Sequence, residues 1–302
     1  MNYLAIDLGG TQIKYALMTK EADILEKEKI ATPDPSKTNT EDLVQLLSKI
    51  ISKYVPKIKG IALSLPGILN SDTGQSYTGG TFYYLAEKNL PKLLQAKFNL
   101  PVTVENDGKA AALAELWKGS LTHVDNAAVV LLGTAIGGGI IINKKLYKGN
   151  TFSAGEMSFI LTNPETKEYW GSTGGARHLL KLVSGKLQTP LENLDGYQVF
   201  EMANKGDADV LAVLDTYTKG LSYQLYNLQV LLDLDLIAIG GGISRQPLLL
   251  EYLQKNINEY CNNHPFKPFM PKIPTPKITT CQHFNEANLI GALYHHLKKQ
   301  KK

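Results

Sequence analysis

Three short segments carry residues whose types and spacing suit chemistry on a phosphate or a hydroxyl. Asp7-Leu8-Gly9-Gly10-Thr11 follows the apolar run Tyr3 to Ile6. A strand there delivers a carboxylate to its tip, and the glycine pair then exposes backbone N–H groups that an anion can approach. An acid so placed can hold a hydrated Mg²⁺ beside phosphate oxygens. Gly133-Thr134-Ala135-Ile136-Gly137-Gly138-Gly139 repeats the arrangement after the apolar run Ala127 to Leu132. It is neither a P-loop nor a dinucleotide fingerprint, because an apolar strand at Ile140 to Ile142, not a helix, follows it. Two such turns, one in each half of the chain, can grip one triphosphate. The third segment is Glu105-Asn106-Asp107. An alcohol hydroxyl is a poor nucleophile until its proton is taken, and a carboxylate within hydrogen-bond reach contributes roughly 10²–10⁴-fold. Asn106 can donate and accept together, which suits a vicinal diol.

Each segment alone has a plainer reading. The first is compatible with an ordinary hairpin carrying a solvent-facing Asp, the second with a glycine-rich β-turn. The third is compatible with a helix N-cap, in which Asn106 or Asp107 caps a helix at Ala110. Their coincidence in one chain favours a ligand site.

The elements that must position these residues follow from periodicity. Tyr3 to Ile6 and Ile13 to Met18 read as strands of a hairpin about Gly9-Gly10. Leu43, Leu46, Leu47, Ile50 and Ile51 have helical spacing within 41–54. A strand at 60–65 stops at Pro66-Gly67. A helix over 90–98, a strand over 101–104 and an Ala-rich helix over 110–118, suited to close packing, follow. In the second half, strands at 127–132 and 140–142, helices at 197–204 and 210–233, and a buried strand at 236–239 ending in Gly240-Gly241-Gly242 repeat the pattern. The Pro-rich stretch 264–276 reads as a surface loop, and 287–299 as the closing helix.

The 302 residues suffice for two domains, and 43% hydrophobic with 20% charged residues is the balance of a globular protein. The net charge of +4 lies largely in Lys298, Lys299, Lys301 and Lys302, a solvated helix end, not a nucleic-acid patch. Cys261 and Cys281 form no CxxC pair, and a core placement as reduced thiols is expected. No apolar run spans a bilayer, and the start has no basic region with a cleavage site, so a cytoplasmic protein without membrane partners is expected.

The ordered set DLGGTQIK (Asp7 to Lys14), SLPG (Ser64 to Gly67), END (Glu105 to Asp107), GTAIGGG (Gly133 to Gly139), Gly155-Glu156, IGGGIS (Ile239 to Ser244) and LIGAL (Leu289 to Leu293) resembles the ROK family across nearly the whole chain. That family holds bacterial sugar kinases and sugar-responsive repressors. The resemblance implies an α/β, two-lobed hexokinase/actin-like ATPase (ribonuclease H-like) fold with a central cleft, and ATP and Mg²⁺ as cofactors. It implies that Asp7 assists Mg²⁺ through water and that Gly9, Gly10, Thr11 and Lys14 face the nucleotide phosphates. Thr134 and Gly137 would form the second phosphate turn, and Gly240, Gly241 and Gly242 would lie along the adenosine. Asn106, Glu156 and Glu168 would hold sugar hydroxyls, Gly79-Gly80 would fall in the sugar-contacting loop, and Asp107 would be the catalytic base. Glu168 is placed by its spacing to Gly171-Ser172.

The family pattern breaks at one place. Where most members follow Gly-Glu with a histidine and a cysteine cluster that bind zinc, this chain has Phe159, and 160–169 holds no cysteine. No structural zinc is expected. Phe159 either fills the volume of the missing metal site or offers an apolar face to an aglycone or second sugar ring. Tyr83, Tyr84, Tyr169 and Trp170 are open to the same two readings, core or sugar stacking.

The expected organisation is an N-terminal α/β domain, 1–107 with the closing helix 285–302, and a C-terminal α/β domain, 108–284. The expected reaction is transfer of the γ-phosphoryl of ATP to the 6-hydroxyl of glucose or a β-glucoside such as cellobiose; N-acetylmannosamine and fructose stay open. A homodimer is common in the family. A repressor would carry a helix-turn-helix ahead of a phosphate motif that here begins at residue 7. A non-catalytic sugar- or nucleotide-binding module would show a broken site, yet Asp107 and both turns are present.

Overall fold

The computed structural model describes residues 1–270 and 272–300. Position 271 of the Pro-rich stretch, Lys301 and Lys302 lie outside the described residues. Contacts divide the chain into two compact units. The first holds Met1–Gly119, Leu146–Ala154 and 285–300; the second holds Ser120–Lys145 and Gly155–Phe284. The helix that begins at Asp107 lies in the first unit, so the change of unit comes at Gly119.

The first unit is built on a five-stranded sheet in the order Ile24–Ala31, Gln12–Thr19, Asn2–Leu8, Ile58–Leu65, Val102–Asn106. Asn2–Leu8 and Gln12–Thr19 form the expected antiparallel hairpin. Asn2–Leu8, Ile58–Leu65 and Val102–Asn106 run parallel, and their register sets Asp7 opposite Ser64 and Leu65 opposite Asn106. Three chemistry-bearing positions therefore share the C-terminal edge of one sheet, where ligands of open α/β sheets gather. The centre of the sheet is buried on both faces, with Leu4, Ile6, Ile61, Leu63 and Val104 in its core. The edge strand Ile24–Ala31, which sequence reading leaves unassigned, alternates Glu and Lys and is exposed. Charge there blunts an edge that would otherwise pair with another chain.

Helices close the faces. Thr40–Ser52 starts with a full capping box between Asn39 and Asp42 and buries Leu43, Leu47, Ile50 and Ile51. Asp107–Lys118 and the last helix, Ala287–Lys299, pack so closely that a Cβ on Gly291 would lie 1.7 Å from the carbonyl oxygen of Ala110. The Ala-rich sequence permits that approach.

The sheet of the second unit repeats the plan, with Ile136–Ile142, Ala127–Leu132, Leu236–Gly240 and Ile278–Thr280 in that order. The antiparallel partner of Ala127–Leu132 begins at Ile136, inside the glycine run, not at Ile140. Backbone proximity explains the correction. A Cβ on Gly138 would stand 2.1 Å from the Val129 carbonyl oxygen, so the ladder needs glycine where sequence reading sees a turn. The 25-residue helix Ala208–Leu232 packs with Ala176–Leu187 and Pro247–Asn262 over the core of this unit. Both cysteines are buried and unbridged, as expected. No helix among the described residues is long and apolar enough to cross a membrane.

Candidate active site

In the first unit the site is built at the strand tips. Asp7 is 3% exposed. Its Oδ1 accepts from Ser64 Oγ at 2.9 Å and from Asn288 Nδ2 at 3.0 Å. Burial raises its pKa above the ordinary carboxylate value, against these two bonds and the nearby Lys14 ammonium, which pull it down. The turn that follows is tight, with Gly9 N–H donating to the Gln12 carbonyl. A Cβ on Gly10 would come within 3.2 Å of Thr81 Oγ1, so the first phosphate-type turn and the Gly79-Gly80 loop abut.

That loop is held from two sides. Gly67 has φ +90°, and a Cβ there would meet Gly80 N at 2.8 Å. Asn106 Nδ2 donates to the Gly67 carbonyl at 3.0 Å. Asn106 Oδ1 accepts from Lys109 N–H at 3.0 Å, which makes Asn106 the N-cap of a helix starting at Asp107, three residues earlier than the predicted Ala110. The capping reading of Asn106 is thus what the structure holds. Capping still leaves the amide one N–H and one lone pair for a ligand. Asp107 is partly exposed at the first helical position, and its Oδ1 accepts from Gly108 N–H at 2.8 Å. The helix N-terminus favours its negative charge.

Glu105 points the other way, into the interior, at 1% exposure. Its Oε1 accepts from Asn106 N–H at 3.0 Å. Its Oε2 lies 3.5 Å from Lys148 Nζ and 3.4 Å from His295 Nδ1.

In the second unit, Gly133-Thr134-Ala135 forms the turn proper, with Thr134 exposed. Gly133 N–H donates to the Ala135 carbonyl, and Ala176 N–H at the start of its helix donates to the Gly133 carbonyl at 2.7 Å. Gly241, at φ +94°, would place a Cβ 2.3 Å from the Leu132 carbonyl oxygen, so the tips of Ala127–Leu132 and Leu236–Gly240 meet at one edge. A cavity of about 590 Å³ opens beside the turn, lined by Thr134, Arg177, Leu180, Leu191 and Glu192. Sequence reading did not single out these last four; their apolar and polar mix suits a nucleoside.

Gly155 takes φ +81°, and Glu156 is half-buried just after it. Glu168 is exposed and accepts from Thr166 Oγ1 at 2.9 Å; its charge acts on His178, whose pKa is lowered chiefly by burial. Phe159 is 67% exposed and fills no interior volume. Leu161 and Tyr169, paired across a short hairpin, are exposed with it, whereas Trp170 is core. No group of three or more His, Cys, Asp or Glu residues among the described residues could hold a metal ion.

Two sheets of like order, with acid and glycine tips at their strand ends, define the hexokinase/actin-like α/β class. The chain belongs to the ROK family, whose profile matches residues 3–299. It is 28% identical over 300 residues to a beta-glucoside kinase of Klebsiella pneumoniae, covering 98% of this chain and 96% of that protein. It is 31% identical over 287 residues to a glucokinase of Halalkalibacterium halodurans, covering 85% and 86%. Among solved structures, a ROK family protein from Streptococcus pneumoniae in complex with sucrose superposes with a TM-score of 0.87 at 30% identity, over 100% of this chain and 99% of that one. A ROK family glucokinase from Streptomyces griseus in complex with glucose and AMPPNP gives 0.81 at 22% identity, over 97% and 98%, and shares the fold.

Proposed function

We propose that this chain is an ATP-dependent sugar kinase that phosphorylates the 6-hydroxyl of a hexose or hexoside, glucose or a β-glucoside. The observation that carries the reading is the convergence of Asp7, Ser64 and the Asn106-Asp107 cap at one edge of the first sheet. Asp107 accepts the O6 proton as the hydroxyl oxygen attacks the γ-phosphorus in line, and the bond from that phosphorus to the β,γ-bridging oxygen breaks to release ADP. Positioning and charge neutralisation do most of the work in such transfers. Gly9, Gly10, Thr11 and Lys14 face the phosphates, as do Thr134 and Gly137, and Gly240 to Gly242 line the adenosine. Asn106, Glu156, Glu168 and the Gly79-Gly80 loop hold the sugar.

Mg²⁺ fits Asp7. Both described hydrogen bonds to this carboxylate fall on Oδ1. Oδ2 is thereby left to accept from a metal-bound water. The ion would neutralise charge on the phosphates when bound.

The exposed Phe159, Leu161 and Tyr169, with the names of two of the relatives, support glucose or a β-glucoside as acceptor. The test is a coupled assay of ADP release with Mg-ATP over glucose, cellobiose, N-acetylmannosamine and fructose. Turnover with glucose or cellobiose is expected. Silence with every sugar would sink the kinase reading, and turnover with N-acetylmannosamine or fructose alone would move the acceptor.

A further inference from the structure

Lys148 belongs to no motif. It sits in Leu146–Ala154, a stretch that packs in the first unit although the sequence on both sides belongs to the second. The stretch is a compact loop, closed by Ala154 N–H donating to the Lys148 carbonyl at 3.2 Å. The ammonium donates to Ser71 Oγ at 2.6 Å and to Asp72 Oδ1 at 3.2 Å, and faces Glu105 Oε2 at 3.5 Å. Lys299, from the last helix, ties the same turn by donating to the carbonyls of Ser71 and Asp72.

Glu105 is a buried carboxylate, and such a group is costly without a counter-charge. Two basic side chains face it, Lys148 and His295. Burial holds the His295 pKa below its ordinary value, which makes the Lys148 ammonium, at 3.5 Å, the principal counter-charge of the two. The other oxygen of Glu105 holds the Asn106 N–H, at the residue where strand turns into helix and from which Asp107 departs.

We propose that Lys148 is a positioning residue for the sugar side of the site: it pairs with Glu105, which fixes the Asn106-Asp107 corner. The inference rests on the kinase reading and adds a residue to it. Ser71, Asp72 and Glu105, the partners of Lys148, are not assigned to the nucleotide, so KM for ATP should change less than KM for the sugar.

The test is steady-state kinetics of K148M, K148R and E105Q/K148M with Mg-ATP and the acceptor of the panel above that turns over fastest. K148M is expected to lose on the order of 10- to 100-fold in kcat/KM for the sugar, the scale of a small misplacement of reacting groups, with KM for ATP little changed. K148R should restore most of the loss and E105Q/K148M part of it, since the double variant buries no unpaired charge. An active wild type whose K148M variant keeps the sugar parameters overturns the inference alone. A K148M variant whose KM for ATP rises as much as its KM for the sugar, recovered by neither other variant, also overturns it. If K148M does not fold, E105Q/K148M decides: a sugar-only defect supports the inference, and wild-type sugar parameters overturn it. A wild type inactive with every acceptor overturns the kinase reading and this inference with it.

Discussion

Asn288 Nδ2 donates to Asp7 Oδ1 at 3.0 Å, so the last helix reaches the tip of the first strand across 281 residues of chain. The bond favours the ionised carboxylate against burial. Asn288→Ala should therefore raise the Asp7 pKa further. The acid limb of kcat/KM for Mg-ATP should move to higher pH, read from a pH profile of the variant beside wild type. An unmoved limb would separate Asp7 from metal and nucleotide binding.

Asp7 also trades stability for that role. Its folded pKa is raised above the ordinary carboxylate value of 3.8, so between the two values the folded state holds a proton that the unfolded state has released. Stability is lost as pH rises from the unfolded value through the folded one, and the loss persists at neutral pH. Asp7→Asn keeps an oxygen for Ser64 and Asn288 without the buried charge. At pH 7 without Mg²⁺ its Tm should rise by about 2–5 °C, while Mg-ATP turnover collapses. A Tm at or below wild type would contradict this account.

Asp107→Asn retains an oxygen for the Gly108 N–H and removes the base. kcat should fall by roughly 10²–10⁴ while the sugar KM changes little. Wild-type turnover would end the assignment of Asp107.

Gly291→Ala should force the last helix from Asp107–Lys118, because its Cβ would stand 1.7 Å from the Ala110 carbonyl oxygen. Overpacking of this kind costs roughly 1–3 kcal/mol or more. Asn288 lies one turn earlier on the same helix, so weaker Mg-ATP binding should accompany the lower denaturation midpoint. A variant with wild-type midpoint and KM would show that the helices yield freely.

His296 is buried beside Thr103, its Nδ1 3.0 Å from Thr103 Oγ1. Burial, with His295 and Lys299, lowers its pKa from 6.5 to about 4. Below pH 6.5 the unfolded chain gains a proton that the folded one refuses. Stability should then fall between pH 6.5 and 4, by up to about 3 kcal/mol from this group. His296→Gln should flatten that slope in urea titrations, and an identical slope in the variant would refute it.

The sequence carries much of this architecture where the signal is local. The closing helix 287–299 was legible because its apolar residues recur at helical spacing, and Asp7, Asn106 and Asp107 because each stands where a strand ends. The strand beginning at Ile136 was not, because close backbone approach demands glycine there and glycine reads as a turn. Pro247–Asn262 carries Leu249, Leu253, Ile257 and Cys261 at every fourth position, a helical signal that sequence reading passed over. Asn288, Lys148 and the Arg177–Leu191 cavity were not legible for another reason. They meet their partners only through folding, and pairing between distant residues leaves no trace in local spacing.

The excursion of Leu146–Ala154 limits how a gene for this protein can be divided. A fragment ending at Gly119 would lack both Lys148 and the last helix, and its complement would carry two orphaned pieces of the first unit. No single cut yields two whole halves. Fragments from one cut would therefore have to reassociate before the first unit could be complete.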